Sequence, residues 1–350
     1  MKIDAMVSGS NLREVQRLAP LFEQAGFDGI WFTEGGRTAY LSCTAAALAT
    51  TKIMIGTGVA VAFPRSPMVT AQVGWELADA TDGRFVLGLG TQVRAHIERR
   101  YSSAYERPGP RLRDYIRSVR AIWRAFQGDE KLDYRGEFYN FTMLGDTWTG
   151  GPIAHPDIPI YAAAVRPWML RMCGEVADGV HVHPFHSRRY IDEVVRPSVA
   201  EGAHAAGRRA DAITLAVPVM SIVGDDHDEL DRWRDRARMQ LAFYGSTRTY
   251  RGVFEVHGWD GTSERLYESQ RAGDVAAMRA AITDEMLDVY AVESSWGELA
   301  DAVIDRYHGA ADRVVMYFAG TSVRADPATI DRWASVADVF HSRVRRMSPV

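Results

Sequence analysis

Residues 55–67 read IGTGVAVAFPRSP. A run of apolar strand-formers passes through Gly56-Thr57-Gly58 and ends in a Phe-Pro-Arg-Ser-Pro turn. A helical pattern then begins at Pro67. A strand apolar on both sides needs cover on both faces, which is the condition of a parallel sheet walled by helices. Glycine at such a strand end lets a neighbouring backbone or a flat ligand approach closely. A plain strand-terminating turn accounts for the same letters and stays open at this point.

The alternation extends outward from this stretch in both directions. Upstream lie a strand at residues 3–8 and a helix capped by Asn11 and running to residue 25. GIWFTE follows at 29–34, and then an Ala-rich helix to residue 50. Downstream, a helix at 67–80 leads into FVLGLGT at 85–91, and further strands are expected at 158–164, 179–184, 213–224 and 313–319. Helices are expected near 167–176, 189–206, 229–243, 296–307 and 327–340. Eight strands, each followed by a helix, predict an α/β fold of the closed (β/α)8 TIM-barrel kind, one domain spanning residues 1–350. An open doubly wound sheet is the structural alternative. Two stretches exceed the repeat. Residues 92–141 hold a helix near 111–126 and a hairpin, LDYRGEFYNF, and residues 245–295 hold a helix near 274–281. Long excursions of a barrel gather in the βα loops around its mouth, so both read as insertion or lid segments.

Composition narrows the function classes. The chain has 350 residues, 47% hydrophobic and 25% charged, with Lys plus Arg at 41 against Asp plus Glu at 45. A net charge of −4 offers no positive surplus for a nucleic-acid backbone. Cys43 and Cys173 belong to no CxxC or Cys/His cluster, which argues against a disulfide scaffold or structural zinc. The N-terminal residues read as a first strand instead of a signal peptide, and no apolar run approaches the roughly 20 residues that cross a bilayer. The expectation is a reduced, soluble, cytoplasmic protein.

Polar residues concentrate where strands reach the mouth, the usual place for catalytic groups on a barrel. In RFVLGLGTQVRAHIERRY, residues 84–101, the strand leaves through Gly88 and Gly90 into Thr91, Gln92 and His96. The Gly-Leu-Gly lacks the third glycine of a dinucleotide fingerprint. Gln92 exchanges no protons and suits hydrogen-bond donation to developing negative charge. His96 suits a substrate-facing donor or proton relay, or simply a solvent-facing helix start. Glu34 suits a cofactor or substrate contact, or a strand cap. The run 94–100 reads as a solvated helix face, or as an attractor for an acidic ligand tail. His181 and His183 share a strand face by the period of two, with His186 beyond. No Asp or Glu completes a metal set, so the expectation is no metal and a pocket-lining role. Trp148, Phe243, Tyr244, Phe254 and Trp259 are candidates for an apolar pocket.

Taken together, GIWFTE, IGTGVAVAFPRSP, GRFVLGLGTQVRAHIERRY, GEFYNF, ADGVHVHPF and ADRVVMYF resemble the luciferase-like monooxygenase superfamily. Within it the chain is most similar to the coenzyme F420-dependent oxidoreductases of actinobacteria, in order from Lys2 to about Phe340. The resemblance implies a bacterial-luciferase-like barrel and hydride transfer between coenzyme F420 and a small organic substrate. An FMN-dependent monooxygenase is the alternative, and a non-catalytic flavin-binding barrel a further one. It implies a non-prolyl cis peptide at Gly58–Val59 backing the deazaflavin ring, with Glu34 nearby and Gly90, Thr91 and Gln92 at the ring's polar edge. Ala164, Val165 and Arg166 before a helix would hold the cofactor phosphate, and Asp178, Gly179 and Val180 would complete that pocket. Glu34, Gln92 and His96 are the residues expected to carry catalysis. A homodimer is implied as well. The sugar-phosphate dehydrogenase branch has a Glu where this chain reads Gln92-Val93-Arg94, and an Asp-His pair where it reads Glu34-Gly35. A sugar phosphate is therefore not the expected substrate.

Overall fold

A computed structural model describes residues 1–347. Its parallel strands are β1 (Lys2–Val7), β2 (Gly29–Phe32), β3 (Met54–Thr57), β4 (Phe85–Gly90), β5 (Ile160–Ala164), β6 (Gly179–Val182), β7 (Thr214–Val223), β8 (Ala291–Ser294) and β9 (Arg313–Met316). Strands β1 to β7 pair each with the next, β7 pairs with β9, and β9 pairs with β1. That is a closed eight-stranded barrel with helices around it, and the open-sheet alternative is set aside.

The first helix, Leu12–Gln24, starts as its sequence demands. The Asn11 side chain accepts from Glu14 N–H while the Glu14 carboxylate accepts from Asn11 N–H. The strands alternate between two apolar cores. Met6, Trp31, Val86, Tyr161, Ala216 and Val315 fill the inside of the barrel, while residues such as Ile30, Ile55, Leu87 and Val180 face the helices.

The eighth ring strand, β9, stops at Met316, earlier than residue 319, because a helix begins at Ala319. Strand β8 was not expected at all. Its four residues, Ala-Val-Glu-Ser, pair with Met220–Val223, the part of β7 that rises beyond the ring. The hairpin expected within residues 92–141 forms at Tyr134–Arg135 and Asn140–Phe141. It is pinned to the helix Pro108–Gln127 through Asp114, whose carboxylate accepts from Phe138 and Tyr139 N–H and from the Tyr134 hydroxyl. Among the described residues no helix is long and apolar enough to cross a membrane.

Candidate active site at the barrel mouth

The mouth takes its shape from a one-residue slip between β3 and β4. Ile55 and Gly56 pair with Phe85 and Val86, but Ala60 and Val61 pair with Leu89 and Gly90. Residues 57–59 therefore bulge, and the Gly58–Val59 peptide within the bulge is cis. The bulge removes the backbone partner that Gly88 would have had. Thr57 replaces it: its buried hydroxyl donates to Gly88 C=O at 2.7 Å and accepts from Gly88 N–H at 2.8 Å. Gly88 can carry no side chain, because a Cβ there would sit 1.8 Å from the Thr57 carbonyl oxygen.

Glu34 secures the far side of the bulge. Its carboxylate accepts from Val61 N–H at 2.8 Å and from both terminal nitrogens of Arg65, at 2.5 and 3.0 Å. Only 3% of the Glu34 side chain is exposed. The residue borders the cavity, but its carboxylate is committed to the loop that follows the bulge.

The bulge walls a cavity of about 500 Å³ at the C-terminal ends of the strands, a size suited to a small ligand or cofactor. Glu34, Gly58, Val59, Gly90, Thr91, Gln92, His96, Ala164, Val165 and Arg166 all border it. Gly179 and Val180 do not. They open β6 below the mouth, where Gly179 lies against the Tyr161 ring and Val180 packs in the outer core. Asp178 is lower still, bound to Ile160 N–H and to Arg120. At the end of β6 the cavity meets His181, Val182 and, just beyond the strand, His183 instead. A larger open groove of about 810 Å³ lies away from the strand ends and is lined by Arg and Asp residues already paired with each other, such as Arg279 with Asp235.

One wall is nearly bare of side chains, built from Gly58, Gly90 and Ala163. Another part of the lining is aromatic, from Phe243, Tyr244, Tyr250 and Tyr317. Of the aromatics expected to line a pocket, Phe243 and Tyr244 do so. Phe254 is buried beside Phe185 and Tyr290, Trp259 stacks on His257, and Trp148 is exposed on the surface. Only the start of the 245–295 segment, at Thr247, Thr249 and Tyr250, reaches the cavity. In the 92–141 segment it is Gln92, Val93, His96, Tyr105 and Pro108 that do.

Gln92 holds a left-handed backbone, φ 56°, and its side-chain oxygen accepts from Val93 N–H at 3.1 Å. His96 lies on the exposed side of the short helix Arg94–Arg99. The imidazoles at and just beyond the end of β6 are more enclosed. His181 stands edge-on to Trp31 at 4.4 Å, and its buried Nε2 has no hydrogen-bond partner among the described residues. Burial, with help from Arg313, pushes its pKa down to about 3. His183 accepts a hydrogen bond at Nδ1 from Phe185 N–H at 3.1 Å. Burial, followed by the charge of His186, brings it down to about 3 as well. His186 is structural, bonded to His183 C=O and the Tyr307 hydroxyl. Among the described residues no group of three His, Cys, Asp or Glu side chains could hold a metal ion.

At the other end of the cavity, Arg166 is the N-cap of the helix Pro167–Val176, with no side-chain cap bond. Its exposed guanidinium has no ion-pair partner among the described residues. The free N–H groups and positive dipole end of that first turn point to the same place.

A buried bulge, a stretch of bare lining and a helix start meet at one mouth of an α/β barrel. The chain belongs to the luciferase-like monooxygenase family, which it matches over residues 2–313. It is 39% identical to an uncharacterised protein of Mycobacterium tuberculosis over 92% of this chain and 94% of the relative. It is 30% identical to the 5,10-methylenetetrahydromethanopterin reductase of Archaeoglobus fulgidus, over 84% of each. The fold is similar to that of the coenzyme F420-dependent tetrahydromethanopterin reductase from Methanopyrus kandleri, with a TM-score of 0.77 and 21% identity over 96% of each chain. Solved structures of this fold also include FMN-bound ones. The family is one of oxidoreductases working with a deazaflavin or a flavin.

Proposed function

We propose that this protein is a coenzyme F420-dependent oxidoreductase that moves a hydride between the deazaflavin and a small organic substrate. The observation that carries the reading is a cavity of about 500 Å³ lined both by near-bare backbone at Gly58, Gly90 and Ala163 and by aromatic side chains. The residues fit such a group. A Cβ at Gly90 would sit 2.6 Å from Val59 Cγ2, so the bulge packs this closely on β4 only because Gly90 has no side chain. The orphaned Nε2 of His181 marks a buried polar position on the same floor. The likeness to a coenzyme F420-dependent tetrahydromethanopterin reductase supports the same cofactor.

In this reading Gly58 and Val59 back the ring while Gly90, Thr91 and Gln92 border its polar edge. Ala164, Val165 and Arg166 hold the phosphate with the helix start. Coenzyme F420 supplies a two-electron hydride carrier when bound. The chain's own work is to orient both reactants and exclude water. Glu34 positions the bulge loop through Arg65, and His96 stands at the rim as a polar group toward solvent. An FMN-dependent monooxygenase is the second reading, favoured by the FMN-bound structures of this fold. A homodimer is part of the proposal, because Leu41, Leu48 and Val69 lie exposed on neighbouring helices.

The experiment is a pair of titrations of the purified protein with F420 and with FMN. F420 binding at micromolar or lower Kd, and at least tenfold tighter than FMN, is expected. Tight FMN binding without F420 binding overturns the deazaflavin reading, and binding of neither removes the enzyme reading.

A further inference from the structure

We infer that residues 92–107 are a flap that swings as one piece over the barrel mouth, hinged at Gln92 and Arg107, and that its closure carries His96 and Tyr105 over the bound cofactor. The inference rests on the reading of this cavity as a cofactor site and adds to it how the cofactor enters and leaves.

Attachment comes first. The segment supplies Gln92, Val93, His96 and Tyr105 to the cavity lining, yet little joins it to the barrel. Ile97 is its one buried residue. Among the described residues, the backbone-to-backbone hydrogen bonds of residues 92–106 are internal to the segment, such as Ser103 N–H to Ile97 C=O at 3.0 Å. The polar ties to the body come from side chains. Arg100 donates to Gly35 C=O, Ser103 Oγ to Phe63 C=O at 3.1 Å and Arg111 to Ala104 C=O at 2.7 Å, and Arg107 pairs with Glu137. Tyr105 adds an edge contact with the Phe63 ring at 6.1 Å. One buried plug and a few mostly exposed ties are the marks of a segment that opens locally while the core stays folded.

Internal cohesion comes second. The Tyr105 hydroxyl donates to Gln92 C=O at 3.2 Å and so joins the two ends of the segment. The Arg94 guanidinium lies over the Tyr105 ring, 5.3 Å from its centroid, and pairs with Glu98. A surface segment whose ends meet and whose side chains pack on one another is an Ω-loop. It can move without unpacking itself.

The third observation is where the strained backbone falls. Four residues other than glycine have positive φ among the described residues, and three of them are here: Gln92 at 56°, Ser102 at 50° and Arg107 at 41°. That conformation is unfavourable for a residue with a Cβ. Gln92 and Arg107 are the first and last residues of the flap. Rotation at these two positions toward the ordinary region relieves strain and lifts the flap, while Ile97 and the side-chain ties hold it down. Strain at the hinges thus opposes the ties, which is the balance a gate requires.

Hydrogen–deuterium exchange read by mass spectrometry, on the free protein and with F420 or FMN, tests the flap together with stopped-flow fluorescence of F420 binding. In the free protein, residues 92–107 are expected to exchange at least a hundredfold faster than β4 and the helix Pro108–Gln127. A bound cofactor should slow that exchange at least tenfold. F420 binding should show a fast phase that rises with concentration and a slower one that saturates. Ile97→Ala removes the plug and should raise both flap exchange and the F420 dissociation rate at least fivefold, with β4 and the helix unaltered. Arg100→Gln, an exposed change that cannot empty the core, should act in the same direction more weakly. Flap exchange as slow as that of the helix, exchange in Ile97→Ala that spreads into β4, or unaltered dissociation in both variants each overturns the flap. If F420 fails to bind while FMN binds and protects residues 92–107, the deazaflavin reading falls and the flap stands. If F420 binds and leaves flap exchange unchanged, the flap falls alone. If neither binds, the cofactor reading falls, and exchange of the free protein and of Ile97→Ala still decides the flap.

Discussion

Replacing Thr57 by Val exchanges one hydroxyl for a methyl and leaves the side-chain shape nearly unchanged. In a parallel strand the N–H and C=O of one residue point to the same side, and those of Gly88 point toward β3. The bulge has withdrawn β3's backbone there, so the Thr57 hydroxyl serves both groups, at 2.7 and 2.8 Å. Thr57 is fully buried, so water cannot replace it. Leaving a buried backbone group unpaired costs about 1–3 kcal/mol. Two such groups give an expected loss of about 2–6 kcal/mol, a large share of the roughly 5–15 kcal/mol typical of a folded protein. Equilibrium urea unfolding of Thr57→Val against wild type measures it, with Thr57→Ser as the variant that keeps the hydroxyl and loses less. A Thr57→Val loss below about 0.5 kcal/mol, within the range of an ordinary surface substitution, would refute the argument that the hydroxyl stands in for the missing ladder.

Three further expectations follow from the site. Glu34→Gln breaks a mostly buried ion pair and should cost about 1–3 kcal/mol by thermal or urea unfolding, discounted for the partly exposed Arg65; full stability with lost turnover would return Glu34 to a chemical role. His181, His183 and His186 are held near 3, 3 and 4 by burial, well below the unfolded value of about 6.5. Above pH 6.5 they are neutral in both states and stability is full. As pH falls from 6.5 toward 4, the unfolded chain takes up protons that the folded one refuses. Stability should then drop by up to about 1.4 kcal/mol per pH unit for each histidine. Urea unfolding at pH 7, 6 and 5 reads this, and a flat profile counts against it. Arg166→Ala should weaken F420 about ten- to a hundredfold by fluorescence titration, the loss expected for one charge-assisted hydrogen bond. It should leave the affinity for a phosphate-free deazaflavin riboside unchanged, and equal losses for both ligands would place Arg166 away from the phosphate.

Much of this was legible in the sequence, for physical reasons that differ by element. The eight ring strands announce themselves because burial on two faces demands unbroken apolar runs such as FVLGLG. The bare wall is readable because only glycine fits where Val59 crowds Gly90. Strand β8 was hidden because AVES has half its residues facing outward and depends on the overhang of β7 for a partner. The commitment of Glu34 was equally hidden, since Arg65 lies 31 residues away and meets it only through the bulge. The same holds for His183. The period of two placed it beside His181, but only the Phe185 contact decides which nitrogen carries the proton. Tyr317 and Pro218 gave no signal, because their strands read as ordinary core.

The floor of the cavity has its root at the seam between the first and last ring strands. Arg313 donates from Nε and a terminal nitrogen to the buried Asp4 carboxylate, and that carboxylate also receives the Trp31 indole N–H at 2.8 Å. Trp31 in turn sets the position of His181. Asp4 and Arg313 lie 309 residues apart in the chain. Until β9 joins the barrel, Asp4 lacks its cation, and Trp31 is the platform of an unfinished column. The floor of the cavity is thus fixed only when β9 closes against β1.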